Sequence, residues 1–362
     1  MRHPPPPRPP PRPPAAPPPG PTGGPAVEVE AEVIPGLAAI AQAELAARGG
    51  PGLDFVPAAR PEVLRFRYRG DLRLLLDLRT VVAVYLLRRF SVPRPKGLLD
   101  YQHVAALLAL IETVRRLAPP GAFRTLRISA AGEDSAVLTR LKTELAARTG
   151  LVAGSAEADL LLRLRRAADG AGWEVLVRLS PRPLTARPWR VCNQPGALNA
   201  VVAQAMVALS DPRPADRYLN LVCGSGTLLI ERLAAGPAAQ AVGYDRAAGA
   251  LDCARANLAA AGVAGAVRLL CAEAGSLPLA AARFDVLTAD LPFGQLVGTH
   301  GENARLYPRL LAEATRVAAP GARLLLITHE VRLLEGLIAG PEMRAWQLQH
   351  TLKITLPFKT GG

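Results

Sequence analysis

The sequence predicts an α/β protein whose C-terminal half is a mostly parallel sheet covered by helices on both faces, preceded by two smaller α+β units. Three observations predict it. From about residue 186, long strand-like and helix-like runs alternate at the spacing of βαβ units. Successive strand-like runs there end in a glycine turn, then Asp245, then Asp290, which places ligand-binding residues along one edge of a sheet. Before residue 182 the runs are shorter, and the strands alternate apolar with charged residues, as half-buried strands do.

The first α+β unit spans 26–92. "AVEVEAEVI" alternates as a strand, and "PGLAAIAQAELAARGG" is a helix with Leu37, Ile40 and Leu45 on its apolar side and a glycine stop. "VLRFRYRG" is a strand, "DLRLLLDLR" a short helix and "VVAVYLLRRF" a further strand, in a ferredoxin-like order. "SVPRPKGLL" reads as a linker. The second unit spans 93–182, with helices in "QHVAALLALIETVRRL" and "DSAVLTRLKTELAARTG" and strands in "FRTLRISAAG", "ADLLLRLRRA" and "GWEVLVRLS". Asp134 and Ser135 are an N-cap pair and Gly150 a stop. Arginines at alternate positions, such as Arg163 and Arg165, leave one basic face, either solvated or turned towards RNA.

The larger unit spans 186–362. "RYLNLVCGSGTLLIERLAAG" is strand, glycine turn and helix; "AVGYDRAAGALDCARANLAAAGV" is a second strand and helix. "AVRLLCAEAGSLPL", "ARFDVLTADLPFG" and "PGARLLLITHE" supply three more strands, the last preceded by the helix "ARLYPRLLAEATRVAA". After it, "MRAWQLQHTLKITLPFKTGG" has room for one further strand and a stub.

Composition limits the function classes. The 362 residues are 50% hydrophobic, enough for a sizeable core. Residues 1–25 are mostly proline and are expected to be a disordered tail with no apolar signal segment. No later run offers 18 uninterrupted apolar residues, so a soluble, cytoplasmic protein with no membrane span is expected. Cys192, Cys223, Cys253 and Cys271 lie singly, without metal-ligand spacing, and are expected to be small buried hydrophobes rather than a metal site or a disulfide framework. The formal charge of +13 favours a polyanionic partner, and all but Lys96, Lys142, Lys353 and Lys359 of the 43 basic residues are arginine, the side chain suited to phosphate forks.

The turn Cys223-Gly224-Ser225-Gly226-Thr227 joins the first long strand to its helix, where glycine lets the backbone turn sharply and a ligand approach. Leu229 stands where a dinucleotide fingerprint would have its third glycine, and a tight turn alone accounts for the pattern. Asp245 ends the next strand about twenty residues on, where a carboxylate can hold ribose hydroxyls. Glu273 falls one strand later, beside the place of an adenine. Together these describe a nucleoside site without phosphates.

The stretches "LNLVCGSGTLLIE", "GYD", "ANLAAAG" and "DLPFG" resemble the Rossmann-like class I methyltransferase domain of THUMP-containing RNA guanine-N2 methyltransferases, which use S-adenosyl-L-methionine (SAM). The first half is similar to their ferredoxin-like and THUMP-like region by order and size. The resemblance implies that Gly224, Ser225 and Gly226 pass under the methionine part of SAM, with Cys223 before them and Thr227 opening the helix. Asn220 would face the ammonium group, where relatives often carry Asp; Asp245 would hold the ribose, and Glu273 would read the adenine. Asp290, Leu291, Pro292 and Phe293 would then meet the substrate amine: Asp290 and the Leu291 carbonyl accept its hydrogens, Pro292 fixes the backbone and Phe293 stacks on the extruded base.

Leu291 and Phe293 depart from the Asn-Pro-Pro-Tyr pattern of adenine-N6 enzymes and point to guanine. His300, Glu302 and Asn303 either orient the target nucleotide or belong to a solvent loop, and Asn193, Pro195 and Gly196 either close over SAM or link two units. The expected protein is a monomer that needs no metal and acts on RNA, tRNA before rRNA. A 23S rRNA guanine-N2 methyltransferase shares these motifs. A catalytically inactive RNA-binding protein that keeps the fold is the other alternative, suggested by Asn220 and by a C-terminus with too few strands to complete the usual sheet.

Overall fold

The computed structural model describes residues 25–58, 60–154, 157–293 and 299–356. Its chain forms two sheets. The first has eight strands: β1 (Val27–Glu32), β2 (Leu53–Val56), β3 (Val63–Tyr68), β4 (Ala83–Phe90), β5 (Thr125–Ser129), β6 (Val152–Ala153), β7 (Leu160–Arg166) and β8 (Trp173–Arg178). Their order is β2-β3-β1-β4-β8-β7-β5-β6, so β4 pairs antiparallel with β8 and residues 26–92 and 93–182 share one continuous sheet. The segment read as a linker contains a short 3-10 helix, Pro95–Leu99, and β2 was not foreseen.

Strand alternation decides what each face of this sheet does. Val29, Phe66, Val84, Leu86, Val175 and Val177 face helices α1 (Ala38–Gly49), α2 (Tyr101–Arg115) and α3 (Ala136–Thr149), which bury Leu45, Leu107, Ile111, Leu141 and Leu145 against them. Asp100 and Ser135 cap α2 and α3, and Gly150 ends α3 in the left-handed region with φ 71°.

On the opposite face the alternate arginines, read as either solvated or turned towards RNA, are paired with acids of the same sheet. Arg165 and Arg65 both bind Glu30 and Glu174, and Arg163 binds Glu32 at 2.7 Å while its guanidinium lies 4.6 Å from the Tyr85 ring centroid. Glu30 is only 2% exposed, and the two guanidiniums keep its carboxyl below the usual carboxylate range although burial alone would raise it. These arginines neutralise acids of neighbouring strands.

The second sheet is parallel, in the order β11-β10-β9-β12-β13, built from β9 (Arg217–Asn220), β10 (Gln240–Asp245), β11 (Arg268–Cys271), β12 (Phe284–Asp290) and β13 (Ala318–Ile327). Helices α4 (Ala200–Leu209), α5 (Thr227–Ala234), α6 (Ala248–Ala260), α7 (His300–Val317) and α8 (Val331–Ile338) accompany it. The further strand expected after "MRAW" is not formed: residues up to 356 are irregular, and the Thr355 amide instead donates to the Pro35 carbonyl at 3.2 Å.

The two halves are joined by an apolar contact and a buried charge cluster. Ile34 and Leu37 pack against Leu198, Val201 and Met206. Beside them Glu231, fully buried, accepts from Arg79 at 2.8 Å and from Arg187 at 3.0 Å.

Candidate active site

The ends of β9, β10 and β12 lie side by side, because a parallel sheet brings the carboxyl ends of its strands to one edge. After β9 the chain turns sharply through Gly224 (φ 49°) and Gly226 (φ 82°) before α5. A side chain at Gly226 would adopt a strained φ and come within 3.3 Å of the Ala254 methyl group. Asp245 joins the turn to β10: its Oδ2 accepts the Gly224 amide at 2.9 Å and its Oδ1 the Ala247 amide at 2.9 Å. Four lone-pair sites on the carboxylate leave room for further donors.

Asn220 is fully buried at the end of β9. Its Nδ2 donates to the Thr288 carbonyl at 3.0 Å, and its Oδ1 is buried without a partner. Cys223 is buried too, which pushes its thiol well above its ordinary pKa and leaves it neutral. Ser225 and Thr227 are buried in the turn. Glu273 stands apart, exposed, with Arg246 3.9 Å away.

A segment not clearly assigned by sequence lies against this turn. Asn257 of α6, fully buried, accepts the Cys192 amide at 2.9 Å, donates to the Cys192 carbonyl at 3.0 Å and donates to the Ser225 carbonyl at 3.0 Å. Arg190 bridges the Leu198 carbonyl and the Thr227 hydroxyl. Contrary to the expectation of four single cysteines, Cys192 and Cys253 form a disulfide with Cα atoms 5.4 Å apart, and Cys271 is exposed rather than buried. Residues 190–198, with Asn193, Pro195 and Gly196 among them, are thus a strap fastened to α5 and α6.

Asp290 ends β12. As a residue it is half-buried, but its Oδ1 is wholly shielded and unpartnered, and burial pushes the carboxyl up to about 7. Leu291 is buried and donates its amide to the Ile327 carbonyl at 2.9 Å. The Pro292 carbonyl is held twice from α7, by Asn303 Nδ2 at 2.9 Å and by the Tyr307 hydroxyl at 2.6 Å. With its proton committed there, Tyr307 receives the Thr328 hydroxyl at 2.8 Å. The half-buried Phe293 ring lies 4.1 Å, centroid to centroid, from that of His329.

This assigns the loop candidates differently. Glu302 forms a capping box with Thr299 at the start of α7, Asn303 faces the turn instead of solvent, and His300 pairs with Glu330 at 3.0 Å. The preceding residues 294–298 lie outside the described part. The roles of Tyr307, Thr328, His329 and Asn257 were missed; the local signals were that 328–330 follow a strand on the ligand edge and that Asn257 lies in the motif stretch "ANLAAAG". Among the described residues no three His, Cys, Asp or Glu side chains gather to hold a metal, and no helix is long and apolar enough to cross a membrane.

A parallel sheet with a glycine turn after its central strand, an acid after the next and Asp-Leu-Pro-Phe after the fourth defines a Rossmann-like class I methyltransferase domain. Residues 187–355 match the model of the UPF0020 family, the RMKL-like methyltransferase domain. The chain is similar to the tRNA (guanine(6)-N2)-methyltransferase of Thermus thermophilus, 33% identical over 160 residues, covering 44% of this chain and 47% of that protein. It is also similar to the U6 snRNA (guanine-N(2))-methyltransferase THUMPD2 of Bos taurus, 32% identical over 133 residues, covering 37% and 26%. The matched stretch thus spans less than half the length of either curated relative. Among solved structures, TrmN from Thermus thermophilus superposes with a TM-score of 0.68 at 25% identity, covering 91% of this chain and 96% of that one. The matched stretch is the methyltransferase domain, and the guanine-N2 methyltransferases among the relatives agree with the resemblance carried by its motifs.

Proposed function

We propose that this protein methylates the exocyclic N2 amine of a guanosine in tRNA, using SAM. The observation that carries the reading is the Asp290 carboxylate: shielded, unpartnered at Oδ1 and set at the strand end beside the glycine turn.

The residues present fit SAM. The unpartnered Asn220 Oδ1 is an acceptor for an ammonium group, Gly224 has open space where a Cβ would stand, and Asp245 keeps lone pairs for ribose hydroxyls. Glu273 is proposed for the adenine amine on its position alone. Bound SAM supplies a methyl group on a sulfonium, an already activated donor that needs no Lewis acid.

The chain's own task is alignment. A guanine N2 lone pair is delocalised into the ring. Asp290 Oδ1 and the Leu291 carbonyl, each accepting one N–H, draw the nitrogen towards tetrahedral geometry, which localises the lone pair towards the methyl group, and stabilise positive charge on nitrogen. Asp290, with its carboxyl raised to about 7, is suited to take the proton released after transfer. Asn303 and Tyr307 occupy the Pro292 carbonyl and so fix how Leu291 presents its own. Phe293 stacks on the extruded base, offsetting unstacking of a few kcal/mol.

The first half would grip the RNA; the whole chain's net charge of +13 and the RNA substrates in the relatives' names support an RNA partner. The same reading has the protein working in the cytoplasm as a monomer, without a metal. Incubation with tritiated SAM and total tRNA should yield N2-methylguanosine. Label in adenosine would overturn the base assignment, and label only in U6 snRNA or ribosomal RNA would overturn the choice of tRNA.

A further inference from the structure

Three consecutive residues after β13 each hold a different part of the surroundings of the Asp290–Phe293 turn. Thr328 donates to Tyr307, which in turn holds the Pro292 carbonyl. Glu330 binds His300 Nδ1 at 3.0 Å, at the start of α7, and its amide donates back to Thr328 Oγ1 at 2.9 Å. Between these anchors His329 lays its ring against Phe293, centroids 4.1 Å apart and planes at 50°. His329 is exposed, so the contact is not core packing, and little burial energy drives it. Its effect is on Phe293. A half-buried aromatic ring at the end of a turn has more than one rotamer open to it, and a base can stack on it only in the rotamer that presents the ring beside Asp290.

We infer that His329 is a positioning residue for the substrate base: the Thr328-His329-Glu330 turn is a second wall of the site, and the His329 ring braces Phe293 in its stacking orientation. The inference rests on the reading of Phe293 as the base platform. His329 meets Phe293 at a 50° tilt, so the base stacks on the side of the Phe293 ring away from His329, beside the amine acceptors. The requirement is for a planar ring at position 329, not for bulk or charge.

The test compares the full chain with His329→Ala, His329→Leu and His329→Tyr, assayed with SAM and total tRNA. His329→Ala and His329→Leu should lower kcat/KM for RNA by about three- to tenfold, the size of one aromatic contact. His329→Tyr should return to within about twofold on the same scale. The KM for SAM should not move in any of them, and unfolding midpoints should stay within about 2 °C because the side chain is exposed. Independently of turnover, the His329 ring-proton resonance should move downfield in Phe293→Leu as the ring current is lost. Wild-type transfer with an undiminished His329→Ala, equal activity of the Leu and Tyr variants, or an unmoved resonance would each overturn the inference alone. No transfer to any RNA by the wild-type chain would overturn the proposed function, and this inference with it.

Discussion

The Tyr307 hydroxyl donates to the Pro292 carbonyl oxygen at 2.6 Å, from the middle of a helix to the turn that ends β12. Asn303, one helical turn earlier, reaches the same oxygen at 2.9 Å. Both side chains are at most 1% exposed, so α7 acts as a fixed rear support for the turn.

Tyr307→Phe should therefore lower kcat more than it lowers stability. The ring still fills its place, and the loss is one buried hydrogen bond, about 1–2 kcal/mol by chemical denaturation. The Thr328 hydroxyl also loses its acceptor, which loosens the second wall. Single-turnover rates should fall about tenfold, and Tyr307→Phe with Asn303→Ala should cost less than the product of the two because they share one acceptor.

Asp290 gives the reaction and the fold opposite pH dependences. Its carboxyl ionises near 3.8 when unfolded and only at about 7 in the folded chain. The folded state therefore holds a proton that the unfolded state has lost, and this group's contribution to stability falls as pH rises from about 4 to 7, then levels off. Activity needs the ionised acceptor and should rise through about 7 with a slope of one proton. Asp290→Asn should abolish transfer and remove that pH-dependent loss, becoming more stable relative to wild type by about 2–4 kcal/mol between pH 4 and pH 8. Urea denaturation at the two pH values measures it.

What was legible in the sequence is what local chemistry dictates. Gly224, Gly226, Asp245 and Asp290 stand out because a turn or a strand end needs them, and their order along the chain sets their place on the sheet edge. Tyr307 was not legible, because at helical spacing it reads as one more core residue and only the fold sets it against a carbonyl 15 residues away. Arg163 and Arg165 stayed open between solvent and RNA for a related reason: Glu32 and Glu30 lie 131 and 135 residues earlier, on β1, and only Glu174 is near in sequence. Leu348, Leu352, Ile354 and Leu356 alternate as a strand should, yet alternation describes a face and cannot supply a ladder partner. Asn257 belongs to a recognisable stretch, but its three hydrogen bonds to the strap and the turn depend on segments far apart in sequence.

That arrangement makes Asn257 a test of the strap. Asn257→Ala would leave the Ser225 carbonyl and both backbone groups of Cys192 without their partner, while the disulfide still tethers Cys192 to α6. The turn under the proposed SAM site should become less ordered, so SAM affinity by calorimetry should drop about tenfold, equivalent to one or two lost hydrogen bonds. Turnover at saturating SAM should change much less, since Asp290 and Phe293 are untouched.

Glu231 joins the two halves of the molecule through a carboxylate that water cannot reach. It is fully buried on α5, between Arg187 before the strap and Arg79 after a short helix of the first half. Arg187 also donates to the Arg79 carbonyl at 2.7 Å, so all three groups form one cluster. Removing only the acid leaves two guanidiniums facing each other in a shielded place, and Glu231→Gln should destabilise by about 3–5 kcal/mol. Replacing the cluster together, as Arg79→Met with Arg187→Met and Glu231→Leu, removes the stranded charge and should recover much of that loss. If the cluster also sets the angle between RNA grip and active site, the triple variant will regain its denaturation midpoint while KM for RNA stays raised, with SAM affinity unchanged. Recovery of KM along with stability would show that the cluster only holds the halves together.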